Sequence, residues 1–346
     1  MLRSFLDAGV LVRVCRLTSR RCICSTHPRR MPEGPEVATL TLSMRDRFQP
    51  PNHYSVTAIQ LVSGRYVDGA PPEGWDELSR KLPLALSTIK EKGKFIYFLL
   101  EQDISIWSTL GMSGGWTLRE NSPNTRVRVI LEPTNKSDAL FREEEPIYLH
   151  YVDSRNFGTL KACFDSAELY KRLDKLGPSW LHNDVDLGTF RALLKKNGKP
   201  QRNRNLCVFL MDQTKTSGIG NYILAEALYA ARIDPWTKVG ELQDQDIDDL
   251  YTAIYDIIWS SCHSQVEVSL RRFHGHGRSK NLQSNNAFST PTQQQSCGGH
   301  FKMKVYGKAT CPNGFKVVRI KNGPHKRPIH YVPALQTKGG VILRTS

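Results

Sequence analysis

Met31-Pro32-Glu33-Gly34-Pro35-Glu36 divides the chain into two unlike parts. Downstream, from Pro35 to Arg47, the apolar residues Val37, Leu40 and Met44 fall on one side of a helix. A proline in the first turn suits such a start, because its missing N–H has no partner there anyway. Upstream, residues 1–31 carry Arg3, Arg13, Arg16, Arg20, Arg21, Arg29 and Arg30 against the single acid Asp7. The apolar stretch Ala8–Val14 is short and broken by Arg13. This composition reads as a removable leader, a mitochondrial transit peptide rather than a secretory signal. The competing readings are an unstructured leader and sequence upstream of a start at Met31. Cleavage after Met31, or initiation there followed by methionine removal, leaves Pro32 first. A free N-terminal proline is a secondary amine that can attack an aldehyde-like carbon and form an iminium; inside a peptide bond the same nitrogen is inert. Glu33 beside it can serve as general acid or base. Taken alone, the same residues also read as a plain proline-marked helix start.

Further along, extended segments are expected at 54–62, 94–100, 104–109, 125–131 and 146–152. Phe95–Leu100 is an apolar run of the covered-strand type, bounded by turns at Gly93 and Glu101-Gln102-Asp103. Gly177-Pro178 punctuates a connection. Helical patterns follow at Leu187–Lys196, Leu206–Met211, Asn221–Ala231 and Asp244–Ser261, the last with Ile247, Leu250, Ile254 and Ile258 four or three apart. Residues 274–300 show no periodic apolar face and read as a flexible insertion. Strand-like Lys302–Tyr306 and Phe315–Ile320 flank Pro312-Asn313-Gly314. The 346 residues suit about two domains, and 39% hydrophobic content excludes a collagen-like or wholly disordered chain. A net charge of +15 points to a polyanion, a membrane surface or an acidic partner. No apolar run reaches the roughly 18 residues of a spanning helix. Eight cysteines are too few for a disulfide-dense scaffold.

Five motifs then occur in one order. They are Pro32-Glu33-Gly34-Pro35-Glu36; Glu91-Lys92-Gly93-Lys94-Phe95; Leu110-Gly111-Met112-Ser113-Gly114; Asp153-Ser154-Arg155-Asn156-Phe157-Gly158; and Leu210-Met211-Asp212-Gln213 with Gly218-Ile219-Gly220-Asn221. Together they resemble the Fpg/Nei family of bifunctional DNA glycosylases over about residues 32–335. The resemblance implies an α+β, two-domain fold: an N-terminal β-sandwich with flanking helices, and a C-terminal helix-two-turn-helix domain with a β-finger. Its boundaries would be a leader at 1–31, a catalytic domain at 32–165, a linker at 166–180, the helical domain at 181–271, an insertion at 272–300 and the finger at 301–337.

The resemblance also implies roles. Pro32 is the nucleophile toward C1′ of the damaged nucleotide, Glu33 protonates the sugar ring oxygen, Glu36 supports them, and Lys94 contacts a flanking phosphate. Met112, Arg155 and Phe157 fill the space of the extruded nucleotide, which must leave the stack for this chemistry. Asn221 and Arg327 grip phosphate, and Lys215 adds charge in the same turn region. Asn221 also reads as a simple helix cap, with free N–H groups nearby suited to phosphate.

In the tail, Val305-Tyr306-Gly307 resembles the entrance to the family's zinc finger, but of the four ligand positions only Cys311 keeps a ligand; Gly314, Val332 and Leu335 hold the others. A closed zinc site needs four. The implied form is the zincless finger of some eukaryotic and viral members, with no metal and no cofactor. The expected partner is double-stranded DNA with an oxidised base or abasic site, met by a monomer in the nucleus and/or mitochondrion, with no membrane attachment. Gly34, Thr109 and the finger lean toward ring-opened purines, hydantoins and oxidised pyrimidines as lesions. A noncatalytic DNA-damage binder, with Pro32 blocked behind residues 1–31, is the alternative class.

Overall fold

The computed structural model describes residues 31–48, 53–119, 123–134, 145–182, 184–195, 201–274 and 301–339. The leader and residues 275–300 lie outside the described residues. The chain begins with α1 (Gly34–Phe48), then β1 (Tyr54–Leu61), the short α2 (Arg65–Asp68) and α3 (Trp75–Lys81). Strands β2 (Leu84–Lys92), β3 (Phe95–Leu100), β4 (Ser105–Thr109), β5 (Gly114–Thr117), β6 (Thr125–Pro133), β7 (Ile147–Asp153) and β8 (Thr159–Cys163) follow.

All neighbouring strands are antiparallel, in the order β5-β7-β6-β1-β2-β3-β4-β8. The seam between β1 and β2 is short, only Ser55↔Ala85 and Val56↔Leu84. The two halves fold over one another at this seam. Trp116 of β5 and Phe98 of β3 are far apart in the strand order, yet their rings meet at 5.2 Å. The Trp116 indole N–H also donates to Ser108 Oγ of β4 at 3.1 Å. The result is a sandwich around Trp116, Tyr151, Ile89 and Leu149. β3 is buried along nearly its whole length, as its unbroken apolar run requires.

The segment expected as a bare connection instead forms α4 (Ser166–Asp174), started by Asp165, whose carboxylate accepts from the Ala167 N–H at 2.8 Å. Then come α5 (Leu187–Lys195), α6 (Leu206–Met211), α7 (Asn221–Ala230) and α8 (Asp244–His274). They enclose a second core around Phe190, Phe209, Tyr222, Leu224 and Leu250. The helix expected to stop at Ser261 runs on to His274. Its extension returns to the first half of the molecule: Ser269 Oγ donates to Thr39 O at 3.1 Å, Ser43 Oγ donates to Ser269 Oγ at 2.8 Å, and Phe273 joins the sandwich core. Among the described residues, no helix is long and apolar enough to cross a membrane.

The finger departs from expectation in one segment. Lys302–Tyr306 is not a strand. Its backbone N–H groups are taken by a carboxylate: Glu226 of α7, itself 2% exposed, accepts from Lys304, Val305 and Tyr306 at 2.8, 2.9 and 2.7 Å. The two finger strands are β9 (Val318–Ile320) and β10 (Ile329–Tyr331), paired antiparallel. Glu226→Ala leaves three N–H donors, one of them buried and two partly buried, without an acceptor, and it should lower unfolding stability by about 3 kcal/mol in a denaturant titration.

Candidate active site

The site forms where three glycine-bearing turns meet: the start of α1, the β2–β3 hairpin and the loop before α7. Gly34 N–H donates to Gly218 O at 2.9 Å. Gly93, at φ +61°, leaves no room for a side chain, since a Cβ would lie 2.6 Å from Ser217 Cβ. Gly220 lies against the Glu33 side chain itself. These contacts open the start of α1 onto a cavity of about 1030 Å3. Pro32, Glu33, Lys94, Met112, Asn221 and Arg327 all line it, so six of the sequence-predicted residues converge although they span most of the chain.

Glu33 is the buried centre of this arrangement, at 2% exposure. Its carboxylate accepts the Tyr222 N–H at 2.8 Å and the Ile223 N–H at 3.2 Å, at the start of α7. The donors expected to be free for a phosphate are therefore used by an internal acid. Burial pushes the Glu33 carboxyl up to about 7, against the opposing pull of Lys94 and these two N–H groups. Burial likewise lowers the half-buried Lys94 ammonium, while Glu33 holds it up. Glu36 is raised by burial too, and its carboxylate accepts the Glu33 N–H at 3.0 Å.

Asn221 is not the helix cap; Gly220 occupies that place and Asn221 is the first helical residue. Its amide instead reaches the finger. Nδ2 donates to Pro328 O at 2.8 Å, and Oδ1 accepts from His325 Nε2 at 2.8 Å. Burial, with Arg327 beside it, pushes His325 down to about 4, so the ring is neutral at ordinary pH. The turn Gly323–Arg327 closes through Gly323 N–H to Arg327 O at 2.8 Å and presents the exposed Arg327 at the tip.

Arg155 and Phe157 stand on the loop after β7, near Met112 rather than on the cavity wall. Arg155 Nη1 is 3.7 Å from Met112 Sδ. Phe157 is 60% exposed and Met112 37%, which marks an apolar prominence instead of a core. Asp153 shapes this loop: it accepts from Ser113 Oγ at 2.6 Å, Arg155 N at 3.2 Å and Gly158 N at 2.8 Å. Arg126 donates to Asn156 Oδ1 at 2.6 Å and holds that residue at φ +58°. Thr214 lines the cavity, while Lys215, next in the turn, is half-buried and does not.

Sequence reasoning missed His325, Tyr222 and the cavity-lining Arg172 and Lys175. Tyr222 holds Glu33 through its backbone N–H, a contact that leaves no side-chain signature in the sequence. Arg172 and Lys175 lie on and just after the unforeseen α4.

At the finger's zinc positions, Val332 is fully buried and Leu335 packs against the second core. Cys311 is buried, and Gly314, Val332 and Leu335 offer no donor side chain, so the residues present do not fit a four-ligand zinc site. Among the described residues, no three His, Cys, Asp or Glu side chains group as metal ligands.

Residues 31–160 match the formamidopyrimidine-DNA glycosylase N-terminal domain, and residues 176–270 match the formamidopyrimidine-DNA glycosylase H2TH domain. The chain is 30% identical over 233 residues to the formamidopyrimidine-DNA glycosylase of Thermus thermophilus, covering 66% of this chain and 74% of that protein. It is 27% identical over 290 residues to the enzyme of Lactococcus lactis subsp. cremoris, covering 82% and 98%. The fold superimposes on Lactococcus lactis Fpg in complex with abasic-site DNA at a TM-score of 0.63 and 22% identity, over 89% of this chain and 100% of that one. It also superimposes on the wild-type Lactococcus lactis protein bound to DNA containing an oxidised pyrimidine, at TM-score 0.64 and 23% identity.

Lys94→Met removes the cation that favours ionised Glu33. In a carboxyl-labelled glutamate NMR titration, Glu33 should lose its proton near pH 7 in the parent chain and at a higher pH in the variant.

Proposed function

The chain belongs to the formamidopyrimidine-DNA glycosylase (Fpg/Nei) family, and from that membership we propose how its site performs the family's bifunctional chemistry. The enzyme is a DNA glycosylase and AP lyase acting on oxidised bases and abasic sites in duplex DNA. The observation that carries the mechanism is a buried carboxyl, Glu33, next to Pro32 and fixed by two backbone N–H groups, on a cavity also lined by Lys94, Asn221 and Arg327.

With Pro32 at the terminus, its nitrogen bonds C1′ of the extruded nucleotide while the base leaves with the glycosidic electron pair. Glu33, half protonated near pH 7, hands a proton to the sugar ring oxygen as that bond opens. The amine proton goes to the departing base, and the iminium so formed acidifies the C2′ proton; Glu33, now ionised, takes that proton as the 3′ phosphate leaves, and a second elimination expels the 5′ phosphate. Lys94, Asn221 and Arg327 are the phosphate contacts of this scheme, with Lys215 a more distant source of charge. Met112, Arg155 and Phe157 occupy the vacated stack, a role supported by the exposure of the two apolar side chains.

We also propose that the finger is of the zincless kind. The packing of Val332 and Leu335 supports this, since apolar contact there replaces metal cross-linking. Ring-opened purines, hydantoins and oxidised pyrimidines are the proposed lesions. The nucleus and/or mitochondrion is the proposed location, supported by the arginine-rich leader.

Borohydride trapping on an abasic duplex tests the mechanism. A chain beginning at Pro32 should form a covalent adduct and nick the DNA. A chain beginning at Met1 and kept uncut should bind without trapping, because its Pro32 nitrogen is an amide. If the Pro32 chain neither crosslinks nor nicks, the mechanism is wrong.

A further inference from the structure

Off the cavity wall, α8 contributes a polar pair, Ser261 and Gln265, that has no part in the proposed mechanism. Gln265 Nε2 donates to Glu36 Oε1 at 2.7 Å and to Ser261 Oγ at 2.8 Å. Ser261 is fully buried, and its hydroxyl meets the Tyr222 hydroxyl at 3.1 Å. The Tyr222 hydroxyl donates to both Glu36 oxygens at 3.2 Å. The same tyrosine's backbone N–H holds Glu33, and Glu36 Oε2 holds the Glu33 N–H. Five residues from α1, α7 and α8 thus form one closed set of hydrogen bonds around two carboxyls.

We propose that Gln265 and Ser261 are positioning residues for the reaction, holding Glu36 so that Glu36 and Tyr222 together fix the acid Glu33 and the amine-bearing end of the chain. The proposal rests on the mechanism proposed above for Glu33. A buried carboxylate is costly unless its lone pairs are filled, and Glu36 receives three kinds of donor: a backbone N–H, a phenol and an amide. Without Gln265 the burial of Glu36 is less opposed, and it takes up a proton more readily. Its negative charge is one of the causes that raise Glu33. Neutralising it therefore lets Glu33 lose its proton at lower pH, so the acid form needed for ring opening is depleted sooner as pH rises. The other charged or titratable groups facing this pair are Lys94 on the β2–β3 turn, Arg327 acting on Lys94, Tyr222 on α7, Tyr306 of the finger and Cys262 on α8. None of them donates to Glu36 in place of Gln265, apart from Tyr222, which is already engaged.

The bland alternative is that Gln265 merely ties α8 to α1. The structure supplies a control for it: Ser269 ties the same two helices through Ser43 and Thr39 without touching either carboxyl. The experiment uses chains beginning at Pro32 and measures single-turnover base release from a 5-hydroxyuracil duplex between pH 5.5 and 9. The same chains undergo carboxyl-labelled glutamate NMR titration, with Glu36 assigned by Glu36→Gln. For Gln265→Leu, we expect about a tenfold loss of rate above pH 7.5 and a smaller one below pH 6.5, the scale of one lost hydrogen bond to a charged group. Its alkaline limb should move toward acid, and Glu36 should titrate at higher pH than in the parent. Ser261→Ala should move both readouts the same way by less. Ser269→Ala should leave the limb in place. An unchanged Glu36 titration in Gln265→Leu overturns the proposal whether or not the parent chain removes bases. A limb shift in Ser269→Ala equal to that in Gln265→Leu also overturns it, reducing both contacts to helix docking.

Discussion

One buried carboxylate, Glu33, determines how the molecule is put together. It sits at the beginning of α1, and its hydrogen bonds cross 189 residues of sequence to the start of α7. A helix N-terminus presents unpaired N–H groups and a partial positive charge, so it is the natural seat for an acid that must be buried. That seat leaves the acid poised instead of permanently ionised, because burial outweighs the donors and holds the carboxyl near 7. The glycines follow from the same constraint. Gly220 must pass against the Glu33 side chain, and the Gly93 turn must pass against Ser217, or the two halves of the chain could not close on this point. The sandwich and the helical domain each have their own core, but the chemistry exists only where α1 belongs to both.

The finger tip is held by three separate sets of protein contacts. Glu226 draws in one end with three N–H contacts, while Val332 and Leu335 pack the other end onto the helical core. Asn221 then ties the tip to the start of α7 through Pro328 and His325. Arg327 is thus presented by a turn whose two sides are anchored independently. This matters because the guanidinium itself is exposed and gains no order from burial. A flexible arginine would lose side-chain entropy on gripping phosphate; a preset turn limits the loss to the side chain.

What the sequence made legible follows from how strongly each pattern constrains its neighbours. Phe95–Leu100 could only be a covered strand, and Val37, Leu40 and Met44 could only be the buried side of a helix. The convergence of Pro32, Glu33, Lys94 and Asn221 was legible only through the family resemblance that their motifs carry. Strand β2 was not, because Leu84–Lys92 mixes serine, threonine and charged residues, and its alternation is broken by a register shift between Leu86 and Thr88 in the pairing with β3. Nor was the loss of strand character at Lys302–Tyr306, where a carboxylate 78 residues away outcompetes a β ladder for the N–H groups. Gln265 was invisible for a related reason. A glutamine beyond the expected end of a helix gives no sign of a buried partner, and only the continuation of α8 past Ser261 brings it against Glu36.

The geometry also bears on Pro32, the proposed nucleophile. Glu33 is fixed by interactions that do not depend on whether Pro32 is free: its N–H goes to Glu36 and its carboxyl to Tyr222 and Ile223. Met31 lines the same cavity as Pro32. Glu33, the proposed phosphate contacts and the apolar prominence are therefore arranged around Pro32 with Met31 still attached. Removal of Met31 and what precedes it would then change a single atom's chemistry, turning an amide nitrogen into an amine in a site already shaped around it.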